Sequence, residues 1–246
     1  MNQYRADLHI HTLLSPCGSL EMSPAAILEA AAEKALDIIG IADHNSTRQS
    51  VLIRDMAKRY GIFVLCGAEI NTKEEIHCLA FMEDDEKLAI FQNYLDEHLI
   101  KVPNNPEKMG YQVVVNEAEE IVYEEENLLI SAIDQDIESA EKFVHSLGGI
   151  FIPAHINKTM NSLLGQLGFI PPDLKPDAVE ISRHITREKF LAENPFVKGF
   201  NFTTASDAHI PGDVGKISSV FEIEKRSFAE IKMALHGENG RRVITK

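Results

Sequence analysis

Cysteine is scarce. The 246 residues contain only Cys17, Cys66 and Cys78, an odd number with no C-x-x-C pair, which fits a reducing compartment better than a disulfide framework. Long apolar runs are missing as well. No stretch approaches the ~18 residues of a membrane-spanning helix, and the opening Met1-Asn2-Gln3-Tyr4-Arg5-Ala6-Asp7 lacks the apolar core of a signal peptide. The expectation is a cytoplasmic protein without a membrane partner. Positive charge is in short supply, with 24 Lys and Arg against 38 Asp and Glu and a formal charge of −14. That balance disfavours broad attraction to a nucleic-acid backbone, while a small anion can still bind where metal ions reverse the local sign. Internal repeats and low-complexity linkers are also absent.

What the chain does have is a rhythm. An apolar content of 44% supports a core, and the length suits one α/β barrel, so a single domain over 1–246 is expected. Tyr4 to Leu8 reads as a first strand. Ser23-Pro24 reads as cap and first position of a helix running to about Ala35, and Leu36 to Ala42 reads as a buried strand. Thr47 to Tyr60 is expected as helix, and Phe63 to Ala68 and Glu75 to Phe81 as strands. Cys66 and Cys78 are expected to pack as small hydrophobes. Between 83 and 138 the pattern loosens into a helix over Asp84 to Leu99, a turn-rich connector, a short strand within Tyr111 to Val115, and a glutamate-rich run over 117–126 read as a solvated helix face. This stretch is expected to be an insertion that caps a site. Beyond it come a helix over Ile137 to Leu147, strands at Ile150 to Ala154, Ala178 to Ile181, Phe200 to Ala205 and Ser219 to Ile223, and a last helix over Ser227 to His236. Strands alternating with helices imply a parallel sheet.

Histidine marks where the chemistry lies. In His9-Ile10-His11, residues two apart on an extended segment face one spot. Asp43-His44, Glu69, His77, His155 and Asp207-Ala208-His209 each accompany another apolar run. Nearly every strand contributes a ligand, and a closed barrel is the arrangement that brings such ends around one centre. Six imidazoles and the carboxylates Glu69 and Asp207 exceed the needs of one ion, so two or three divalent metals (Zn, Mn or Fe) are expected. Lys158, Arg183 and His184 lie just past ligand-bearing strands, where a phosphate-binding pocket would need cations. Asp43 is a candidate either for handling a proton or for orienting its neighbour. His98, His145 and His236 fall within helices and are expected to be solvated.

The ordered segments Asp7-Leu8-His9-Ile10-His11-Thr12, Ala42-Asp43-His44, Gly67-Ala68-Glu69, His77, Ala154-His155 and Ser206-Asp207-Ala208-His209 resemble the motifs of the PHP (polymerase and histidinol phosphatase) family. The resemblance implies a distorted seven-stranded (β/α) TIM-like barrel with a di- or trinuclear site that hydrolyses phosphate esters through a water bridging two cations. It also implies that one metal is held by His9, His11, Glu69 and Asp207, a second by His44 and His209, and a third by Glu69, His77 and His155. Where many members carry a further ligand after the first motif, this chain reads Ser15-Pro16-Cys17-Gly18, so Cys17 becomes a candidate ligand. The substrate expected is a small phosphorylated metabolite, with histidinol-phosphatase-like and nucleotide-phosphatase-like activities both fitting. The rivals are an amidohydrolase-type C–N hydrolase, which lacks its usual bridging lysine here, and a non-catalytic metal-binding regulatory module.

Overall fold

The β-branched, apolar segments pair into strands because a pleated surface buried on both sides suits them. A computed structural model of the chain describes residues 1–245. Its strands are β1 (Asn2–Ile10), β2 (Ile38–His44), β3 (Phe63–Asn71), β4 (His77–Met82), β5 (Val113–Val115), β6 (Ile121–Glu124), β7 (Ile150–Pro153), β8 (Val179–Ile181), β9 (Phe202–Thr204), β10 (Ser219–Ile223) and β11 (Arg242–Ile244). One sheet has the order β11-β10-β1-β2-β3-β4-β7, and β8 and β9 form a separate parallel pair. That pair closes a ring. On one side Asp177 N donates to Phe151 O at 3.0 Å and Ile156 N to Glu180 O at 2.8 Å; on the other, His11 N donates to Ala208 O at 3.1 Å and Ala208 N to His9 O at 3.2 Å. The series β1-β2-β3-β4-β7-β8-β9 is therefore a distorted seven-stranded barrel.

The sheet is not all parallel, as the alternation of elements had implied. β1, β2 and β3 run parallel, but β4 is antiparallel to both β3 and β7. Only residues 72–76 join β3 to β4, too few for the crossover that a parallel pair needs, and Thr72 N closes the turn on Ile76 O at 3.0 Å. A second difference lies in the glutamate-rich run. It folds as a hairpin, β5 against β6, because Asn116 and Glu120 close a turn and Ile121-Val122-Tyr123 favours a strand over a helix; all four β6 residues remain exposed.

The barrel interior is built from alternate residues. Leu65 and Gly67 on β3 precede Glu69 on the same face, and Leu79 and Phe81 follow His77 on β4, so each strand is apolar towards the floor and polar towards the mouth. Phe221, Ile231 and Leu235 seal the floor. The other strand faces pack on helices through Ile27, Leu28, Ile53, Phe91 and Val144. Two inward glycines let the strands approach closely: a Cβ at Gly67 would lie 1.9 Å from Ala80 O, and one at Gly40 2.5 Å from Leu8 O.

Residues 83 to 138 are tied to the barrel mouth. Asn45 Nδ2 donates to the carbonyls of Leu129 and Ser131 at 2.9 and 2.8 Å, Asn71 Nδ2 donates to Ile130 O at 2.9 Å, and Val115 N donates to Gln49 Oε1 at 2.8 Å. The helical histidines keep contact with solvent, as expected, but each is also paired. His98 pairs with Asp134 at 2.7 Å, and His145 and His236 approach opposite oxygens of buried Asp177 at 3.0 and 2.6 Å. No helix among the described residues is long and apolar enough to cross a membrane.

Candidate metal centre

The strand ends deliver polar side chains because each apolar run stops at the barrel mouth. His9 and His11 sit side by side, Nε2 to Nε2 3.2 Å apart. Glu69, at the end of β3, lies among five imidazoles: Oε1 is 3.2 Å from His9 Nε2, 3.0 Å from His77 Nδ1 and 3.3 Å from His155 Nε2, and Oε2 is 3.1 Å from His44 Nδ1 and 3.5 Å from His11 Nε2. Asp207 Oδ1 stands 3.5 Å from Nε2 of both His9 and His11. His77 enters from the start of its strand, since antiparallel β4 presents its N-terminal end to the mouth. His155 and Asp207 turn inward with φ of 30° and 53°, a left-handed conformation that costs of order 1–3 kcal/mol for a non-glycine residue and tends to collect at functional sites.

The donor set fits divalent cations. His44 Nδ1 and Glu69 Oε1 are buried and, despite these short distances, make no hydrogen bond. A buried polar atom without a partner costs about 1–3 kcal/mol, which a shared cation would recover. Three groups have donor atoms within 4.8 Å of one another: His9 with His11 and Glu69, His44 with Glu69 and His77, and His11 with Cys17, His44 and His209. Burial alone would raise the Glu69 carboxyl, yet the His77, His9 and His44 rings hold it well below the usual carboxylate range. Burial opposes charge on His9, but Glu180, Glu69 and Asp207 drive it well above the ordinary imidazole value. Burial pushes His11 down to about 4 and His44 well below its usual value, leaving both as neutral donors. Cys17 is exposed as a residue, but its thiol stands at the cleft wall, where desolvation pushes it up to about 12, helped by the charge of Glu69, a direction that a neighbouring cation reverses.

The remaining candidates take different places. Asp43 turns both oxygens to the loop after β1, accepting from Thr12 N at 2.7 Å, Ser15 Oγ at 2.6 Å and Thr12 Oγ1 at 2.8 Å. Ser15 Oγ in turn accepts from His11 Nδ1 at 3.0 Å, which leaves His11 Nε2 bare for a ligand. Lys158 Nζ stands 2.5 Å from Asp207 Oδ2 and lines a cleft of about 560 Å³ together with Cys17, His184 and His209. Arg183 instead pairs with Asp213 at 3.1 Å and faces an adjoining pocket.

Glu180 is a member that the sequence reading passed over. Its Oε1 accepts from His9 Nδ1 at 3.1 Å and from His155 N at 3.1 Å, so one buried carboxylate orients one ligand ring and the backbone of another. The signal was a lone glutamate inside the apolar run Ala178-Val179-Glu180-Ile181. Asp7, which opens the first motif, accepts from Ser206 N at 3.0 Å and Gly215 N at 2.8 Å and so anchors the Asp207 loop.

Comparison with known proteins agrees with this geometry. Residues 7–147 match the PHP domain and residues 197–239 the PHP-associated family. The uncharacterized protein YqxK of Bacillus subtilis is 24% identical over 275 aligned positions, covering 99% of this chain and 65% of that protein. The chain spans less than two thirds of the length of the curated relatives it matches. Among solved structures, the lesion-specific endonuclease PfuEndoQ from Pyrococcus furiosus superposes with a TM-score of 0.73 at 18% identity, covering 98% of this chain and 58% of the endonuclease. A Bifidobacterium adolescentis protein assigned as a metal-dependent phosphoesterase superposes with a TM-score of 0.59 at 18% identity, covering 84% and 88% of the two chains. With the PHP domain matched from residue 7 to residue 147, more than half of its length, this chain belongs to the PHP family.

Proposed function

We propose that the protein hydrolyses a small phosphate monoester in a di- or trinuclear metal centre. The observation that carries this reading is the ring of five imidazoles around Glu69, opening onto a cleft of about 560 Å³. His9, His11, Glu69 and Asp207 would hold one ion, His44 and His209 with Cys17 a second, and Glu69, His77 and His155 a third. Bound divalent cations supply an acidified water and neutralise charge on the phosphoryl oxygens.

The chain's own groups do the rest. Lys158 Nζ donates to a non-bridging phosphate oxygen, its loop held by the Asn157 amide, which accepts from Ser182 N at 2.7 Å and donates to Ser182 Oγ at 2.9 Å. His184 lines the same cleft and contacts the leaving group. Ile130, carried by the 83 to 138 insertion, and Met160 cover the mouth and limit water; on this reading the insertion is a cap on one 1–246 domain. Asp43 acts on position, through Thr12 and Ser15, rather than on substrate. A cleft of this size suits a metabolite, and the −14 charge disfavours a long polyanion.

A second reading, cleavage of a nucleic-acid phosphodiester, comes from the fold shared with endonuclease Q, whose solved complex holds a duplex with an abasic lesion at the active site. Net charge alone does not dismiss it, because bound cations set the local sign. Metal-depleted protein, reloaded with Mn or Zn, should release phosphate from members of a phosphomonoester panel. Strand scission of an abasic duplex without phosphate release would replace the first reading with the second. No hydrolysis of either substrate class with any metal would overturn both.

A further inference from the structure

The donor groups in the cleft divide by chemistry. Glu69 and Asp207 serve the His9 and His11 side with carboxylate oxygens, and Glu69 Oε2 reaches across to His44 Nδ1 at 3.1 Å. The group of His11, Cys17, His44 and His209 contains no carboxylate and one sulfur. Its placement is built into the backbone. Gly18 N donates to Ser15 O at 2.9 Å and Ser19 N to His209 O at 2.9 Å, so the Cys17 turn is tied at one side to the loop that orients His11 and at the other to the residue that supplies His209. The turn is tight enough that a Cβ at Gly18 would lie 2.4 Å from Thr12 O. A further mark of a missing ligand is His44 Nδ1, which has no hydrogen-bond partner although His44 is only 2% exposed and Glu69 Oε2 lies 3.1 Å away, at the border between the two groups.

We infer that the cleft holds two unlike metal sites, with Cys17, His44 and His209 forming a thiophilic site that retains Zn(II) while the Glu69 and Asp207 site accepts harder divalent ions such as Mn(II). Thiolate and imidazole donors favour Zn over Mn or Mg, whereas carboxylate oxygens suit the harder ions. The inference rests on the metal-dependent reading above and adds which ion each side selects.

Two measurements test it without recourse to activity. Metal-free protein titrated with Cd(II), a soft stand-in for Zn(II), should develop a near-ultraviolet thiolate-to-metal band that saturates at one equivalent. Cys17→Ser should lack the band and lose zinc affinity by at least the roughly 10–100-fold that removing a mere outer-sphere partner costs. Cys17→His should recover zinc binding without the band, which guards against a folding defect in the serine variant. Cys66 and Cys78 are buried and Cys17 is exposed, so a thiol reagent reports on Cys17: zinc should protect it and Mn or Mg should not. Cd uptake measured by calorimetry with no sulfur band, or unchanged zinc affinity and stoichiometry in Cys17→Ser, would overturn the inference and leave the phosphoesterase reading standing. No uptake of any metal by the wild-type protein would overturn both.

Discussion

Glu180 shows how one residue acts through another. Its carboxylate bonds the His9 ring and the His155 backbone, and a carboxylate behind a ligating histidine fixes the tautomer and raises basicity. Glu180→Gln should therefore weaken metal binding by roughly 10–100-fold while the fold persists; competition with a chelating dye measures the first and circular dichroism the second. On the proposed function Lys158 would make the opposite kind of contribution, donating to the substrate directly from the cleft wall. Lys158→Ala removes a charge-assisted hydrogen bond worth about 1.5–3 kcal/mol, so kcat/KM should fall by roughly 10–100-fold with metal stoichiometry unchanged. The clustered histidines were readable because each follows or opens an apolar run. Glu180 was not, because a single glutamate in a strand three residues long has no periodicity to betray it.

Strand pairing sets the orientation of each ligand, and here the chain was only half legible. The positions of β1, β2, β3, β7 and β10 follow from β-branched runs, and the helix caps at Ser23 and Ser227 bond as their residue types suggest. The direction of β4 depends on the length of the 72–76 connection, and the hairpin of β5 and β6 on a turn at Asn116, local features that a charge count hides. Close strand approach at Gly67 gives a test at this scale. Gly67→Ala would push against Ala80 O and the Phe81 ring, and overpacking of this kind costs about 1–3 kcal/mol. The urea midpoint should drop accordingly, with metal affinity falling alongside because Glu69 and His77 sit on the two strands forced apart.

At the level of the whole molecule, a buried carboxylate clamps the barrel floor. Asp177 accepts from Phe151 N at 2.7 Å and meets His145 and His236 from two helices. Burial would raise its carboxyl, but these partners and Lys232 hold it below the ordinary 3.8. A depressed carboxyl stabilises the fold above the unfolded value and loses that effect as pH falls through the folded one. Asp177→Asn should thus be less stable than wild type by about 1–3 kcal/mol near neutrality, with the gap between their unfolding midpoints narrowing as pH drops below 3.8. Metal acts on the same balance: zinc at about 100 times its dissociation constant should add about 2.7 kcal/mol to unfolding, and chelation should remove it. The ring closes through the pairing of Ile10 with Ala208, nearly two hundred residues apart in the chain. On the ribosome, therefore, a nascent chain exposes His9, His11, Glu69 and His77 long before Asp207 and His209 have been synthesised, so the full cluster of donor groups assembles only after that later segment has been made.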